Sequence, residues 1–173
     1  MSTFDFLGPI KEQIPDWAKD IRLNLDSVIG RSSLAPEDAL GAALAAAYAS
    51  RCQPLVEAFR AQLPEATANG ALSAAALMGM NTVWYPFVEM AGDPELKTQR
   101  AELRMNAYAT SGGIEKLKFE AFALSAAIVG KCHFCVQSHY SLLKEHGLSV
   151  QQLRDIGRIA AVVHAASQVF ASR

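Results

Sequence analysis

The sequence has almost nothing that would build a β-sheet: it shows no sustained apolar–polar alternation and no Asn-Gly hairpin signal, which argues against sandwiches and barrels. Charge is also sparse. Charged residues are 19% of the 173, and the formal net charge is −1 with no run of Lys or Arg, so the basic patch that nucleic-acid binding needs is missing. So little charge suits an oligomer that hides part of its surface. No apolar run is long enough to cross a bilayer: the longest, residues 39–50, is mostly alanine, well short of the roughly 20 residues a spanning helix needs. Residues 1–17 mix Asp5, Lys11, Glu12 and Asp16 among apolar positions and lack a signal-peptide core. The expectation is a cytoplasmic protein without nucleic-acid or membrane partners. In a reducing compartment three cysteines make no disulfide framework, and a close pair is more often catalytic or metal-binding.

What the sequence does have is alanine and helix punctuation. Hydrophobic residues reach 51%, much of it alanine, the best helix former and small enough for close packing, so the expected fold is all-α. Pro15-Asp16 opens a segment to about residue 29 with Trp17, Ile21, Leu25 and Val28 on one face. Pro36, Glu37 and Asp38 make the first turn of an alanine-rich helix to about residue 50. Pro54 and Pro64 mark fresh starts. Further helices are expected over 72–85, halted by Pro86, and over 95–109, after a Gly92-Asp93-Pro94 loop and before Gly112-Gly113. Then come helices over 116–129 and 132–146, with a turn at Gly130-Lys131 between them and Gly147 closing the second. Ser149 and Gln152 form a capping box for a last helix to about residue 171.

Shifting the chain against itself by 80 residues places Cys52 on Cys132, Ala43-Leu44 on Ala123-Leu124, Ala46-Ala47 on Ala126-Ala127, Arg51 on Lys131, Val56 on Val136 and Leu63 on Leu143. This pattern favours duplication of one helical unit. The polar residues do not repeat: opposite Cys135, His139 and Glu120 stand Leu55, Phe59 and Leu40. The expected organisation is a single domain over 1–173 made of two related halves, with 1–93 as scaffold and 94–173 carrying the chemistry.

That chemistry centres on Cys132 and Cys135. A C-x-x-C pair at a helix start puts both sulfurs on one face, close enough to bond across one turn. The first turn offers unpaired N–H groups and partial positive charge, both favouring thiolate, and Lys131 adds a cation. A lowered thiol pKa beside a second thiol is what reversible oxidation needs. His139 follows Cys135 by four residues on the same helix face, within reach to take the thiol proton directly or through one water. Glu120 on a straight helix would lie about 18 Å from Cys132. With a reversal at Gly130, however, Glu120 is ten residues back and His139 nine forward, level on adjacent antiparallel helices. A carboxylate there can orient the imidazole. The expected relay runs from Cys135 to His139 to Glu120.

These segments carry a resemblance. The stretch Ile14-Pro15-Asp16-Trp17-Ala18-Lys19-Asp20-Ile21-Arg22-Leu23-Asn24-Leu25, then Met78-Gly79-Met80-Asn81, Leu103-Arg104-Met105-Asn106, Glu120 and the C-x-x-C-x-x-x-H run together resemble the AhpD alkyl hydroperoxidases over nearly the whole chain. The last motif alone is shared with the broader carboxymuconolactone decarboxylase-like superfamily. The resemblance implies an all-helical subunit, a homotrimer and reduction of organic hydroperoxides with no bound cofactor. It makes Cys135 the thiol that peroxide oxidises to sulfenic acid, Cys132 the thiol that resolves it as a disulfide, and Glu120 and His139 the proton relay. It implies dihydrolipoamide on a lipoyl-bearing 2-oxoacid dehydrogenase component as reductant, and a peroxiredoxin, AhpC, as partner. In the family pattern a further histidine directly precedes the second cysteine, where this chain has Phe134. His133 lies one place earlier, about a third of a turn away, so no role carries over to it.

Plainer readings stand beside these. The pair with His139 and either Glu120 or His133 could hold zinc in a non-catalytic adaptor. Glu120 and His139 could also serve as acid and base in a decarboxylase-like or isomerase-like enzyme that needs neither cysteine. Cys52 reads as a small packed hydrophobe, His146 as a helix C-terminal residue and His164 as a core or interface residue. Met78, Met80, Trp84 and Phe87 read as core or subunit interface.

Overall fold

The computed structural model describes residues 4–173; residues 1–3, where the expected first half begins, lie outside it. Among the described residues there is no strand, and the all-α expectation holds. The helices are α1 (Leu7–Glu12), α2 (Lys19–Gly30), α3 (Pro36–Ala49), α4 (Gln53–Arg60), α5 (Glu65–Ala91), α6 (Pro94–Thr98), α7 (Asn106–Ala109), α8 (Lys116–Gly130), α9 (His133–Glu145) and α10 (Val150–Ala171). Single 3-10 turns occur at Asp16–Ala18 and Ser111–Gly113.

The alanine-rich helices α3 and α8 form the centre, because a helix apolar on every side is stable only when surrounded. Residues 39–47 of α3 and 119–127 of α8 are buried without a break, and α5 and α10 pack on both. The two central helices approach closely. A Cβ on Gly41 would run into the Phe122 ring, so that ring lies directly on the α3 backbone. Ser125 Oγ donates to the Ala42 carbonyl at 2.7 Å, joining the two helices through a buried polar bond.

Two helix pairs turn in the same manner. Arg51 and Lys131 both adopt the left-handed conformation, at φ 57° and 54°. Cys52 and Cys132 then serve as extended N-caps for α4 and α9. Their N–H groups reach back to the carbonyls of Ala47 and Ala127 at 3.1 and 3.4 Å.

Three local expectations are corrected. The helix expected over 72–85 begins earlier and runs through Pro86 to Ala91. Proline orphans one carbonyl, that of Thr82; Thr82 is only half-buried, and Tyr85 on Phe134 and Trp84 on Phe87, with ring centroids 4.4 and 5.7 Å apart, hold the following turns. The helix expected over 95–109 is instead two short pieces, α6 and α7, joined by an irregular segment with Glu102 at φ 52°. Leu103 and Arg104 stay exposed there, so a continuous helix would have had no apolar stripe to bury. Trp17 is exposed rather than on the core face of α2, because the chain is still in the 3-10 turn at that point. The capping box of Ser149 and Gln152 is present as expected.

One buried acid fastens α10 to the start of α3. Asp155 accepts from Ser33 N and Oγ at 2.8 and 2.7 Å and from Arg154 and Arg158. Burial pushes its carboxyl up, but the Ser33 bonds and the arginines outweigh this and hold it well below the usual carboxylate range. A depressed carboxyl stabilises the fold above its unfolded pKa and loses that contribution as pH falls below about 4. Asp155→Asn should therefore lower unfolding stability by about 2 kcal/mol at pH 7 and flatten its decline toward acid, as checked by urea unfolding at pH 7 and pH 3.

Candidate active site

The site is built on the reversal between α8 and α9. A Cβ on Gly130 would meet the Thr82 side chain of α5, so α8 can end against α5 only with glycine there. Lys131, left-handed and exposed, completes the turn. Cys132 follows as the N-cap of α9, its sulfur accepting from the Cys135 N–H at 3.2 Å. The two cysteines are joined as a disulfide, with Cα atoms 5.3 Å apart. They are 1% and 3% exposed. The cap position puts a sulfur among unpaired N–H groups at the positive end of a helix, which favours thiolate once the bond is reduced.

The reversal also brings Glu120 and His139 together. His139 Nδ1 lies 2.5 Å from Glu120 Oε2. The two are 4% and 2% exposed. At the other ring nitrogen, Nε2 lies 3.2 Å from the Met78 sulfur. A thioether has no proton to give, so this contact is satisfied when Nε2 carries the hydrogen. In the disulfide form no hydrogen bond joins His139 to either sulfur among the described residues.

Tyr108, a residue the sequence pattern does not single out, closes this pair from α7. Its hydroxyl lies 3.1 Å from His139 Nδ1 and donates to Glu120 Oε2 at 3.5 Å. Its ring stacks on the imidazole at 6.0 Å and meets Phe119 edge-on at 5.6 Å. Burial first, and then the Glu120 charge, push the Tyr108 hydroxyl far above the ordinary phenol range, so it stays a proton donor to the carboxylate. Its sequence neighbour Asn106 belongs to one of the motifs above, but nothing in composition or spacing reports that α7 sets the Tyr108 ring against Phe119, Glu120 and His139.

The other candidate residues lie elsewhere. His133 is exposed, its Nδ1 3.9 Å from Glu89 Oε1 on α5. His146 is exposed and its Nδ1 sits 2.8 Å from the Leu142 carbonyl. His164 pairs with Ser50 at 3.0 Å. Cys52 is buried and free. Among the described residues no three His, Cys, Asp or Glu side chains converge as a metal site would require. An open cleft of about 500 Å³ reaches the disulfide from outside, lined by Lys131, Cys132, His133, Val136 and Gln137. Of the two cysteines, Cys132 is the one that lines it.

Comparison with known proteins places these features in context. A family model described as carboxymuconolactone decarboxylase family matches residues 94–173. Alkyl hydroperoxide reductase AhpD of Rhodospirillum centenum is 42% identical over 164 residues, covering 92% of this chain and 88% of the relative. The protein of that name from Rhizorhabdus wittichii is 41% identical over 171 residues, covering 96% and 98%. That of Anaeromyxobacter dehalogenans is 42% identical over 165 residues, covering 93% and 88%.

The buried pair can be tested apart from any reaction. Glu120→Leu alone strands a buried imidazole and should lower unfolding stability by about 3 kcal/mol. Adding His139→Phe reproduces the Leu40 and Phe59 found at the equivalent places of α3 and α4 and should restore most of that loss. Urea unfolding followed by circular dichroism checks this; a double variant no more stable than the single one would show that the two residues are not held as a pair.

Proposed function

This chain belongs to the AhpD alkyl hydroperoxide reductase family, and from that membership and the site geometry we propose that it reduces organic hydroperoxides through a Cys132–Cys135 disulfide cycle. The observation that carries the proposal is a C-x-x-C disulfide at the start of α9 with His139 one turn further along, its imidazole paired with Glu120 of α8 and nearly sealed from water.

In the reduced protein Nε2 of the neutral His139 takes the Cys135 proton, the contact with Met78 being satisfied once it has done so, while Glu120 at Nδ1 and Tyr108 hold the imidazole in place. The Cys135 thiolate attacks the terminal oxygen of the hydroperoxide. An S–O bond forms, the O–O bond breaks, and the departing alkoxide takes the proton from His139 to leave as an alcohol. Cys132 then attacks the Cys135 sulfur, displacing the hydroxyl as water with the Cys132 proton and closing the disulfide. Sulfur loses two electrons and the peroxide gains them.

Reduction completes the cycle. The cleft beside Cys132 is open enough to admit a slender dithiol arm, which favours dihydrolipoamide on a lipoyl-bearing 2-oxoacid dehydrogenase component as the donor. One donor thiol gives its proton to His139 and attacks Cys132; Cys135 leaves and takes that proton, and the second donor thiol then attacks the first donor sulfur, releasing Cys132 with the second proton as the donor becomes a cyclic disulfide. An AhpC-type peroxiredoxin is the proposed partner that the reduced pair regenerates in turn. We place the protein in the cytoplasm, where such donors are made; no helix among the described residues is long and apolar enough to cross a membrane. A homotrimer is the proposed assembly, supported by Val83, Phe87 and Met90 standing exposed along the last turns of α5.

Two outcomes test the proposal, each by following hydroperoxide loss with dihydrolipoamide as sole reductant. Cys135→Ser should abolish turnover, and full activity in that variant would end the assignment. His139→Gln should retain slow turnover that climbs with pH through ordinary thiol ionisation, near pH 8.5, instead of the wild-type profile; an unshifted profile would remove His139 from the relay.

A further inference from the structure

Asn81 takes no part in the relay, yet it is held beside it. It lies three residues after Met78 and four before Tyr85, so the three share one face of α5. Met78 meets His139 at 3.2 Å and the Tyr85 ring lies tilted against Phe134, centroids 4.4 Å apart. The two helices therefore run antiparallel across this contact, and Asn81 falls between those anchors, opposite the turn of α9 that carries Cys135. Asn81 is 6% exposed. Its Oδ1 is fully buried and has no hydrogen-bond partner among the described residues. A buried amide oxygen without a partner destabilises a fold, and a leucine of similar size would avoid that loss. The fold thus carries a polar atom that its own packing does not use.

The other polar groups of this wall are engaged. Glu120 is taken by His139 and Tyr108, and the Met78 sulfur meets His139 Nε2 and is at best a weak acceptor. Asn81 Oδ1 is the strong acceptor left over. A hydroperoxide presents one O–H donor, on the terminal oxygen that a thiolate attacks. We propose that Asn81 binds the hydroperoxyl end of the substrate, its Oδ1 accepting a hydrogen bond from that terminal O–H and aligning the O–O bond with the Cys135 sulfur. The oxygen that moves to Cys135 keeps its hydrogen as the sulfenic acid forms and the alkoxide departs. The same Oδ1 therefore holds the sulfenic hydroxyl until Cys132 displaces it as water.

This inference rests on the proposed hydroperoxide reduction, and the two are separated by measuring the half-reactions apart. Pre-reduced wild-type, Asn81→Leu, Asn81→Ala and Asn81→Ser proteins are mixed with cumene hydroperoxide under stopped flow, and disulfide formation is followed by acid quench and thiol counting. The oxidised proteins are separately reduced with dihydrolipoamide. Loss of one hydrogen bond in the leucine and alanine variants should slow oxidation by about tenfold and leave reduction within about twofold. Serine, which keeps an acceptor, should recover part of the rate. Asn81→Leu should melt no lower than wild type. Oxidation unchanged in Asn81→Leu and Asn81→Ala, both half-reactions slowed alike, or a lowered melting temperature for Asn81→Leu would each overturn the assignment of Asn81. Wild-type protein inert to hydroperoxide would instead remove the functional reading on which it rests.

Discussion

A carboxylate and an imidazole meeting at 2.5 Å, almost sealed from water, set the terms for everything around them. Either group buried alone would be strongly destabilising; together they are tolerable because each answers the other's charge and hydrogen-bonding need. The surroundings serve that condition. Tyr108 adds a hydroxyl to the carboxylate, Met78 offers sulfur to the second ring nitrogen, and Phe119 backs the tyrosine ring. The contact exists only because the chain reverses over two residues. Glycine is needed at 130 to let α8 close on Thr82, and Lys131 accepts a left-handed backbone. The same reversal makes Cys132 a helix cap. One turn in the chain thus fixes the disulfide and the imidazole–carboxylate pair relative to each other.

The α3–α4 reversal is built with the same backbone device and none of the polar side chains. Arg51 takes the left-handed conformation, Cys52 caps α4, and the positions matching Glu120, Cys135 and His139 hold Leu40, Leu55 and Phe59, all buried. A repeated helical unit would produce this parallel. It also shows what the polar site displaces, since the same geometry can be filled entirely with hydrocarbon. Stability then rests on the alanine-rich contact of α3 with α8, where Phe122 lies on Gly41, and on clamps such as Asp155 to Ser33. A scaffold so supported can carry an unfavourably polar pocket at one end.

Much of this was legible in the sequence, and the gaps have physical causes. The reversal at Gly130 and the spacing of Glu120 and His139 around it depend on local backbone rules, so helical geometry alone brings the two side chains level. The capping box at Ser149 is equally local. Tyr108 was not legible, because its place over the pair is set by an irregular segment whose path depends on tertiary contacts rather than on periodicity. Met78 read as core and is buried as expected; its contact with His139 depends on how α5 lies against α9, which pattern does not reveal. Pro86 misleads for a related reason. A proline rule states the loss of one hydrogen bond, but not whether aromatic packing from Tyr85 and Trp84 offsets it.

The two sulfurs of α9 are proposed to cycle between bonded and free states at the demand of a hydroperoxide. The most direct measurement is mass spectrometry of the peptide containing Cys132 and Cys135, taken from fully reduced protein before and after one equivalent of an organic hydroperoxide. The expected result is a loss of two hydrogen atoms in that peptide, reversed by dihydrolipoamide, with Cys52 unchanged. A peptide that keeps both thiols, or gains oxygen without linking the two sulfurs, would contradict the account.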